Sequence, residues 1–321
     1  MNKNYILGTD EAGYGPNLGP LVIGCTLWEI ICDKTDKIDI LSELENRLSE
    51  IIASTPAELK KCNKILVVGD SKKLCQSGNI HTLLETLIPV FQIINKPVKN
   101  YLELLKVVAS EDVREILNSK SQFFVCENQS QFDVSALEKN VEKIKNAFLQ
   151  TEIFLKNVTA RMISPKIFNE LLESLANKST LLTHVTLTLI LSVLETLPEA
   201  WVTILCDKHG GRNRYADVLY HFFPDCGAIE IITEGTPLSV YRFQYSNKKI
   251  EIRFQSKADS HIPAALASMT AKLLRELAMQ QFNLFWQKHL PNLKPTAGYP
   301  VDAVRFFAQI EKISQNIKIP K

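Results

Sequence analysis

The chain has 321 residues, 45% of them hydrophobic, with a formal net charge of +2. This composition suits one large globular domain or two ordinary ones and excludes a disordered or fibrous chain. The charge is uneven: residues 201–321 hold 16 Lys and Arg against 10 Asp and Glu, leaving 21 against 25 in residues 1–200. A polyanion partner for the C-terminal half is one reading and a solvated basic face is the other.

Met1-Asn2-Lys3-Asn4 shows no signal-peptide pattern and leads into a predicted strand over Asn4–Thr9. That strand ends in Asp10-Glu11, followed by the glycine-rich turn Ala12-Gly13-Tyr14-Gly15-Pro16. Adjacent strand residues point to opposite faces, so the two carboxylates share a site only if the turn bends the backbone. Paired oxygens at such a bend suit a hard divalent cation; a solvated strand end is the plainer alternative. After Gly19-Pro20, Leu21–Ile31 is a second β-rich run. Ile38–Ala53 has helical apolar spacing and Lys64–Gly69 reads as a short buried strand. Asp70-Ser71-Lys72-Lys73-Leu74 falls in the loop after it, and Ile80–Ile94 is predicted helical.

Over residues 95–150 two charged helical segments, Leu102–Leu117 and Ala136–Leu149, flank the polar stretch Asn118–Asp133. We read this as a helical insertion, or lid, within a single domain spanning 1–321. Thr151–Ile163 returns as a strand, and Ile167–Ala176 and Leu181–Leu197 as helices. The latter is the longest apolar run, but Thr183, His184, Thr186, Thr188, Ser192 and Glu195 interrupt it, which argues against a membrane span. Trp201–Cys206 has buried-strand character and delivers Asp207 at its end. The basic loop from His209 to Arg214 follows, a candidate phosphate clamp or a solvent loop, with His209 read as a surface histidine rather than a proton shuttle. Ser239–Gln255 reads as a hairpin turning at Ser246-Asn247. A long helix is predicted from Asp259, with Ile262, Leu266, Met269, Leu273 and Leu277 on one face. Asp259 in its first turn would then lie in the positive end of the helix dipole.

Alternating strands and helices, with the early strands closely spaced, predict an α/β fold: a mixed sheet with helices on both faces. The seven cysteines form no Cys-x-x-Cys pair, which suits reduced thiols in a cytoplasmic protein and argues against a zinc site. If the strands of Asp10 and Asp207 are neighbours, four carboxylates (Asp10, Glu11, Asp207 and Asp259) converge at one sheet edge. Their mutual repulsion then calls for bound divalent ions. Two ions about 4 Å apart can activate water and stabilise a leaving oxygen in phosphodiester hydrolysis.

At this point the residues resemble a family, the type 2 ribonucleases H. Gly8-Thr9-Asp10-Glu11-Ala12-Gly13, with Gly15-Pro16 and Gly19-Pro20 behind it, is similar to that family's opening block. Asp70-Ser71-Lys72-Lys73-Leu74 resembles its second block. Asp207 matches a third carboxylate, and Lys257-Ala258-Asp259 followed by Ala264-Ala265 and Ala271-Lys272 resembles the block holding a fourth. Gly298-Tyr299-Pro300, with Asp302 and Phe306, resembles a C-terminal segment whose tyrosine packs on a sugar of the DNA strand. The blocks occur in family order from residue 5 to about 310.

The resemblance implies an RNase H-like core with a five-stranded mixed sheet and two Mg²⁺ or Mn²⁺ ions held by Asp10, Glu11, Asp207 and Asp259. It further implies cleavage of RNA in RNA–DNA hybrids or ribonucleotide-containing duplexes, leaving 5′-phosphate and 3′-hydroxyl ends. Gly13, Tyr14, Gly15, Lys72, Lys73 and Tyr299 are the candidate substrate contacts, and a cytoplasmic monomer is expected. The chain departs from the pattern at Tyr14, where the family usually carries arginine; a tyrosine cannot replace a guanidinium on phosphate. It is also longer than a typical member, with surplus in 32–62, 95–150 and the hairpin near 230–255. Two rival expectations follow: a nuclease of the same lineage acting on another structured nucleic acid, and a non-catalytic nucleic-acid-binding protein on the same fold.

Overall fold

Strand pairing determines where the N-terminal carboxylates lie. The computed structural model of the protein describes residues 2–32, 39–118, 124, 131–133 and 140–314. Strands β1 (Asn2–Ala12) and β2 (Leu21–Cys32) pair antiparallel along their whole length. They lead into α1 (Ile40–Leu48), β3 (Ile52–Ala53), α2 (Pro56–Lys61), β4 (Leu66–Val67) and a single turn, α3 (Ser71–Leu74). Helices α4 (His81–Ile93), α5 (Tyr101–Val108), α6 (Ser110–Asn118) and α7 (Val141–Thr151) precede β5 (Ile153–Ile163). Next come α8 (Pro165–Leu175), α9 (Lys178–Leu194), β6 (Ala200–Asp207) and α10 (Ala216–Phe222). Strand β7 (Glu230–Glu234), the hairpin β8 (Leu238–Tyr245) and β9 (Lys248–Gln255), then α11 (Ile262–His289) and α12 (Pro300–Ser314) complete the chain.

The main sheet runs β5-β2-β1-β6-β9-β8-β7. Its β1–β6 and β6–β9 contacts are parallel and the other four antiparallel. The expected mixed sheet with helices on both faces is present, with seven strands instead of five. The hairpin counted as surplus divides: β9 is the parallel neighbour of β6, and only β8 and β7 extend the sheet. The period-2 geometry of β1 separates two cores. Ile6 packs with α4, α5 and α11 on one face, while Tyr5 and Leu7 pack with α9 and α10 on the other.

Helix α11 lies directly on β1 and β2. A Cβ at Gly8 would stand 2.2 Å from the Pro263 carbonyl carbon, and one at Gly24 2.3 Å from the Ala267 oxygen. These two glycines therefore set how closely the helix approaches the strands.

Two predicted elements change. The single helix expected over Ile38–Ala53 stops at Leu48, and Ile52–Ala53 instead pairs in parallel with β4 as a separate two-stranded ribbon. A run of only two apolar residues carries no periodicity to distinguish strand from helix. The described helices of 95–150 pack into the first core through Tyr101, Leu104, Ile116, Ile144 and Phe148. Most of the stretch Asn118–Asp133, and residues 134–139 at the head of the predicted Ala136–Leu149 helix, lie outside the described residues. Among the described cysteines no disulfide forms; five are buried and Cys62 is exposed.

Candidate metal centre

Three parallel strands end at one sheet edge, and each delivers an acid there. The β1–β6 ladder runs in parallel to Thr9↔Cys206, so Asp10 and Asp207 emerge side by side. Asp207 pairs with Gln255 at the end of β9, from which the chain turns through Ser256 and Lys257 to Asp259. One carboxylate oxygen each from Asp10, Glu11 and Asp207 lie within 4.8 Å of one another. Among the described residues this is the one group of three such side chains with metal-ligand spacing.

The bend expected beneath Asp10 and Glu11 is absent: both remain in the β1–β2 ladder, opposite Gly24 and Ile23, and pairing continues through Ala12. They share the site for another reason. The ladder to β6 has already stopped, so that side of β1 is open and the longer Glu11 side chain can reach round the sheet end.

Two of these acids, Asp10 and Glu11, are held against their charge. Burial, then the neighbouring carboxylates Asp207 and Asp259, push the Asp10 carboxyl well above its ordinary range, partly offset by the Ser268 hydroxyl. Burial and then Asp10 and Asp207 do the same to Glu11, with Lys72 pulling the other way. Desolvation and like-charge repulsion both disfavour ionisation. Among the described residues no Lys or Arg is bonded to Asp10 or Glu11, and Lys72 acts on Glu11 only as a nearby charge. Asp207 accepts a hydrogen bond from the Ala258 amide at 3.3 Å.

Asp259 stands apart from the group of three. It lies in a separate 3-10 turn, Ala258–Ser260, not in the first turn of the long helix as expected. Glu45 takes the helix terminus instead: its carboxylate accepts from the Ile262 amide at 2.9 Å and sits 3.0 Å from the His261 ring. The Asp259 carboxyl is still raised, by burial, then Asp207, then Asp70. It lines the same cleft as the other three, a depression of about 720 Å³.

Of the six predicted substrate contacts, Lys72 and Lys73 line this cleft. Gly13, Tyr14 and Gly15 follow β1 in the chain and are not among the residues that line it. The Tyr14 side chain packs on the second core and reaches the next loop, where a Cβ on Gly210 would stand 3.5 Å from its hydroxyl. Tyr299 is 56% exposed and follows Gly298, whose carbonyl accepts from the Asn17 and Leu18 amides. The basic loop after Asp207 is tied down. His209 is buried rather than on the surface, with Nδ1 3.0 Å from Thr183 Oγ1, and burial pushes its pKa down to about 3. Lys208 donates to the Gly235 carbonyl and to Ser239 Oγ.

Sequence reasoning missed three contributors. Asp70 caps α3 by accepting from the Lys72 amide at 2.9 Å, which places its carboxylate in the cleft. Glu45 and the β3–β4 ribbon supply one cleft wall. An Asp before Ser-Lys-Lys is an N-cap signal that could have located the first; nothing in the sequence marks the wall.

No protein-family model matches the chain, and no curated protein does. Among solved structures it is similar to ribonuclease H2 from Pyrococcus horikoshii OT3, with 14% identity, a TM-score of 0.41, and 99% of this chain and 90% of that one covered. It is also similar to RNase HII in the Archaeoglobus fulgidus PCNA:RNase HII complex, at 15% identity and a TM-score of 0.40, covering 98% and 90%. A third is a mutant of Bst-RNase HIII, at 13% identity and a TM-score of 0.34, covering 96% and 63%.

Proposed function

We propose that the protein is a metal-dependent endoribonuclease that cleaves RNA in RNA–DNA hybrids. One observation carries the reading: three carboxylates gathered within 4.8 Å at a sheet edge, two of them, Asp10 and Glu11, desolvated, and without a bonded cation. Oxygen-only donors in an open cleft fit Mg²⁺ or Mn²⁺, which keep water ligands and bind phosphate oxygens. Asp10, Glu11 and Asp207 would hold such an ion, and Asp259, lining the same cleft, would help hold a second. Bound there, such ions supply an activated water and neutralise charge on the leaving oxygen. The chain's own residues orient and attract: Asp207 is fixed by the Ala258 amide, and Lys72 and Lys73 bring positive charge to the phosphate backbone. Hydrolysis adds water across the P–O3′ bond, leaving a 5′-phosphate and a 3′-hydroxyl.

In this reading the protein is a divergent type 2 ribonuclease H in one domain, 1–321, with 95–150 as a helical insertion. It works as a cytoplasmic monomer. No helix among the described residues is long and apolar enough to cross a membrane. A panel of RNA–DNA hybrid, single-ribonucleotide duplex, double-stranded RNA and double-stranded DNA, each with Mg²⁺ and with Mn²⁺, tests the proposal. Preferential nicking of the hybrid is expected. Cleavage of another member instead would move the substrate assignment, for which the tyrosine at position 14 gives a reason. Mn²⁺ binding by calorimetry no stronger than that of Asp10→Asn would leave a non-catalytic binding protein.

A further inference from the structure

Arg275 on α11 is 4% exposed, and its hydrogen bonds go to backbone carbonyls rather than to a carboxylate. Its Nη1 donates to the Pro20 carbonyl at 2.9 Å, and its Nη2 to the carbonyls of Leu18 at 3.0 Å and Ala297 at 3.1 Å. The adjacent acid, Glu276, is itself bonded to Lys272 at 2.6 Å. Burying a guanidinium with no carboxylate bonded to it is costly, and here three carbonyl oxygens take up its donors.

The three carbonyls belong to two loops. One is the glycine-rich loop that follows Asp10 and Glu11; the other is the segment before α12 that presents Tyr299. The loops also meet through the backbone, the Asn17 and Leu18 amides donating to Gly298 O at 2.8 and 3.2 Å. The glycines make room for the clasp. Gly13 and Gly19 have φ of +99° and +89°; a Cβ would stand 3.2 Å from Arg275 Nη1 at the first and 2.6 Å at the second. A second residue of the same helix, Asn283, pairs with Thr296 through both its amide groups, at 2.8 and 2.9 Å.

We infer that Arg275 is a positioning residue that fixes the Gly13–Gly19 loop and the Tyr299 segment as one rigid surface following the carboxylates, so that nucleic acid meets a preorganised pair of contacts. This rests on the proposed nuclease reading. Only a planar fork can bridge three carbonyls in two loops; a lysine ammonium on its flexible stem cannot reproduce that geometry. Loops so fixed lose less freedom on binding, so the clasp acts on affinity rather than on the bond-breaking step.

The test uses the full chain with Arg275→Met, Arg275→Lys and Asn283→Ala, each checked for folding by circular dichroism and thermal melting. Hydrogen exchange at the Asn17 and Leu18 amides should speed up at least about tenfold in Arg275→Met, with the β1–β2 ladder unchanged. For the hybrid, KM should rise about tenfold with kcat within about threefold, and Mn²⁺ affinity should hold. Arg275→Lys should fall near Arg275→Met, and Asn283→Ala between it and the unmodified protein. Unchanged exchange at Asn17 and Leu18 overturns the inference, as does an equal fall in Mn²⁺ binding and kcat. If the unmodified protein neither binds nor cleaves hybrid, the nuclease reading fails while the exchange result still decides whether the clasp exists. Should Arg275→Met fail to fold, the same exchange and KM readouts on Asn283→Ala and Arg275→Lys decide the matter.

Discussion

Two of the places where the protein gathers carboxylates away from water treat them oppositely. Asp112 on α6, 8% exposed, receives the Arg161 guanidinium as a fork at 2.9–3.1 Å and the Met162 amide at 2.7 Å. Glu111 adds a second contact to the same arginine at 3.2 Å. Two strands away from β5, across β2, Asp10 and Glu11 of β1 stand with Asp207 and have each other's charge in place of a cation. The first arrangement is a self-sufficient ion pair that ties the 95–150 helices to β5. The second is unfavourable as it stands, and becomes favourable only when something positive enters. A buried acid with its partner supplied by the chain reads as structure; one left without reads as a place for a ligand.

The sharpest way to break that contrast is to neutralise one acid in each place. Asp10→Asn or Asp207→Asn should lower kcat on the hybrid by about a thousandfold or more, roughly 4 kcal/mol of barrier, while hybrid affinity shifts by no more than about threefold. Wild-type turnover in either variant would remove the metal-centre assignment. Asp112→Asn should leave the Mn²⁺ affinity alone and cost about 3 kcal/mol of stability in urea unfolding, because it strips the main partner from a largely buried guanidinium. A loss below about 1 kcal/mol would mean that Glu111 alone suffices for Arg161.

pH sharpens the comparison further. The Asp10 and Glu11 carboxyls are raised on folding above their ordinary values of 3.8 and 4.5. A raised carboxyl binds more protons folded than unfolded, so its favourable contribution is full below the unfolded value and disappears as pH climbs through the folded one. Without metal, stability should therefore fall by about 1–3 kcal/mol from pH 4 upward to mild alkali, and added Mn²⁺ should reverse the slope. Thermal melts across pH, with and without Mn²⁺, measure this; a metal-free slope that is flat or rising would contradict the repulsion described here. The smallest effect belongs to Lys72→Ala. Loss of its charge should lift Glu11 further, moving the acid limb of the pH–rate profile upward by a few tenths of a unit, with KM about threefold higher.

How much of this was readable beforehand varies with the length of the signal. Runs such as Leu21–Ile31 and Trp201–Cys206 declared themselves as strands, and β2 and β6 cover them. The hairpin turned where Ser246-Asn247 predicted. The β3–β4 ribbon was not readable, since each strand is two residues long. The start of the long helix was misplaced for a different reason: apolar spacing locates a helix face but not its first residue, and here Glu45, more than two hundred positions away, supplies the cap. Arg275 gave no signal because its partners are backbone carbonyls, which leave no trace in side-chain chemistry.

The sequence alone determined which residues are acidic at strand ends and which glycines stand beside them, because strand periodicity and turn chemistry are local properties. Tertiary structure decided that three of those acids meet, that Asp259 stands outside their immediate group, and that a helix arginine joins two loops. Those outcomes depend on the parallel register of β1, β6 and β9 and on how closely α11 can approach over Gly8 and Gly24. Register and interelement distance are set by packing between segments far apart in the chain, and local pattern does not encode them.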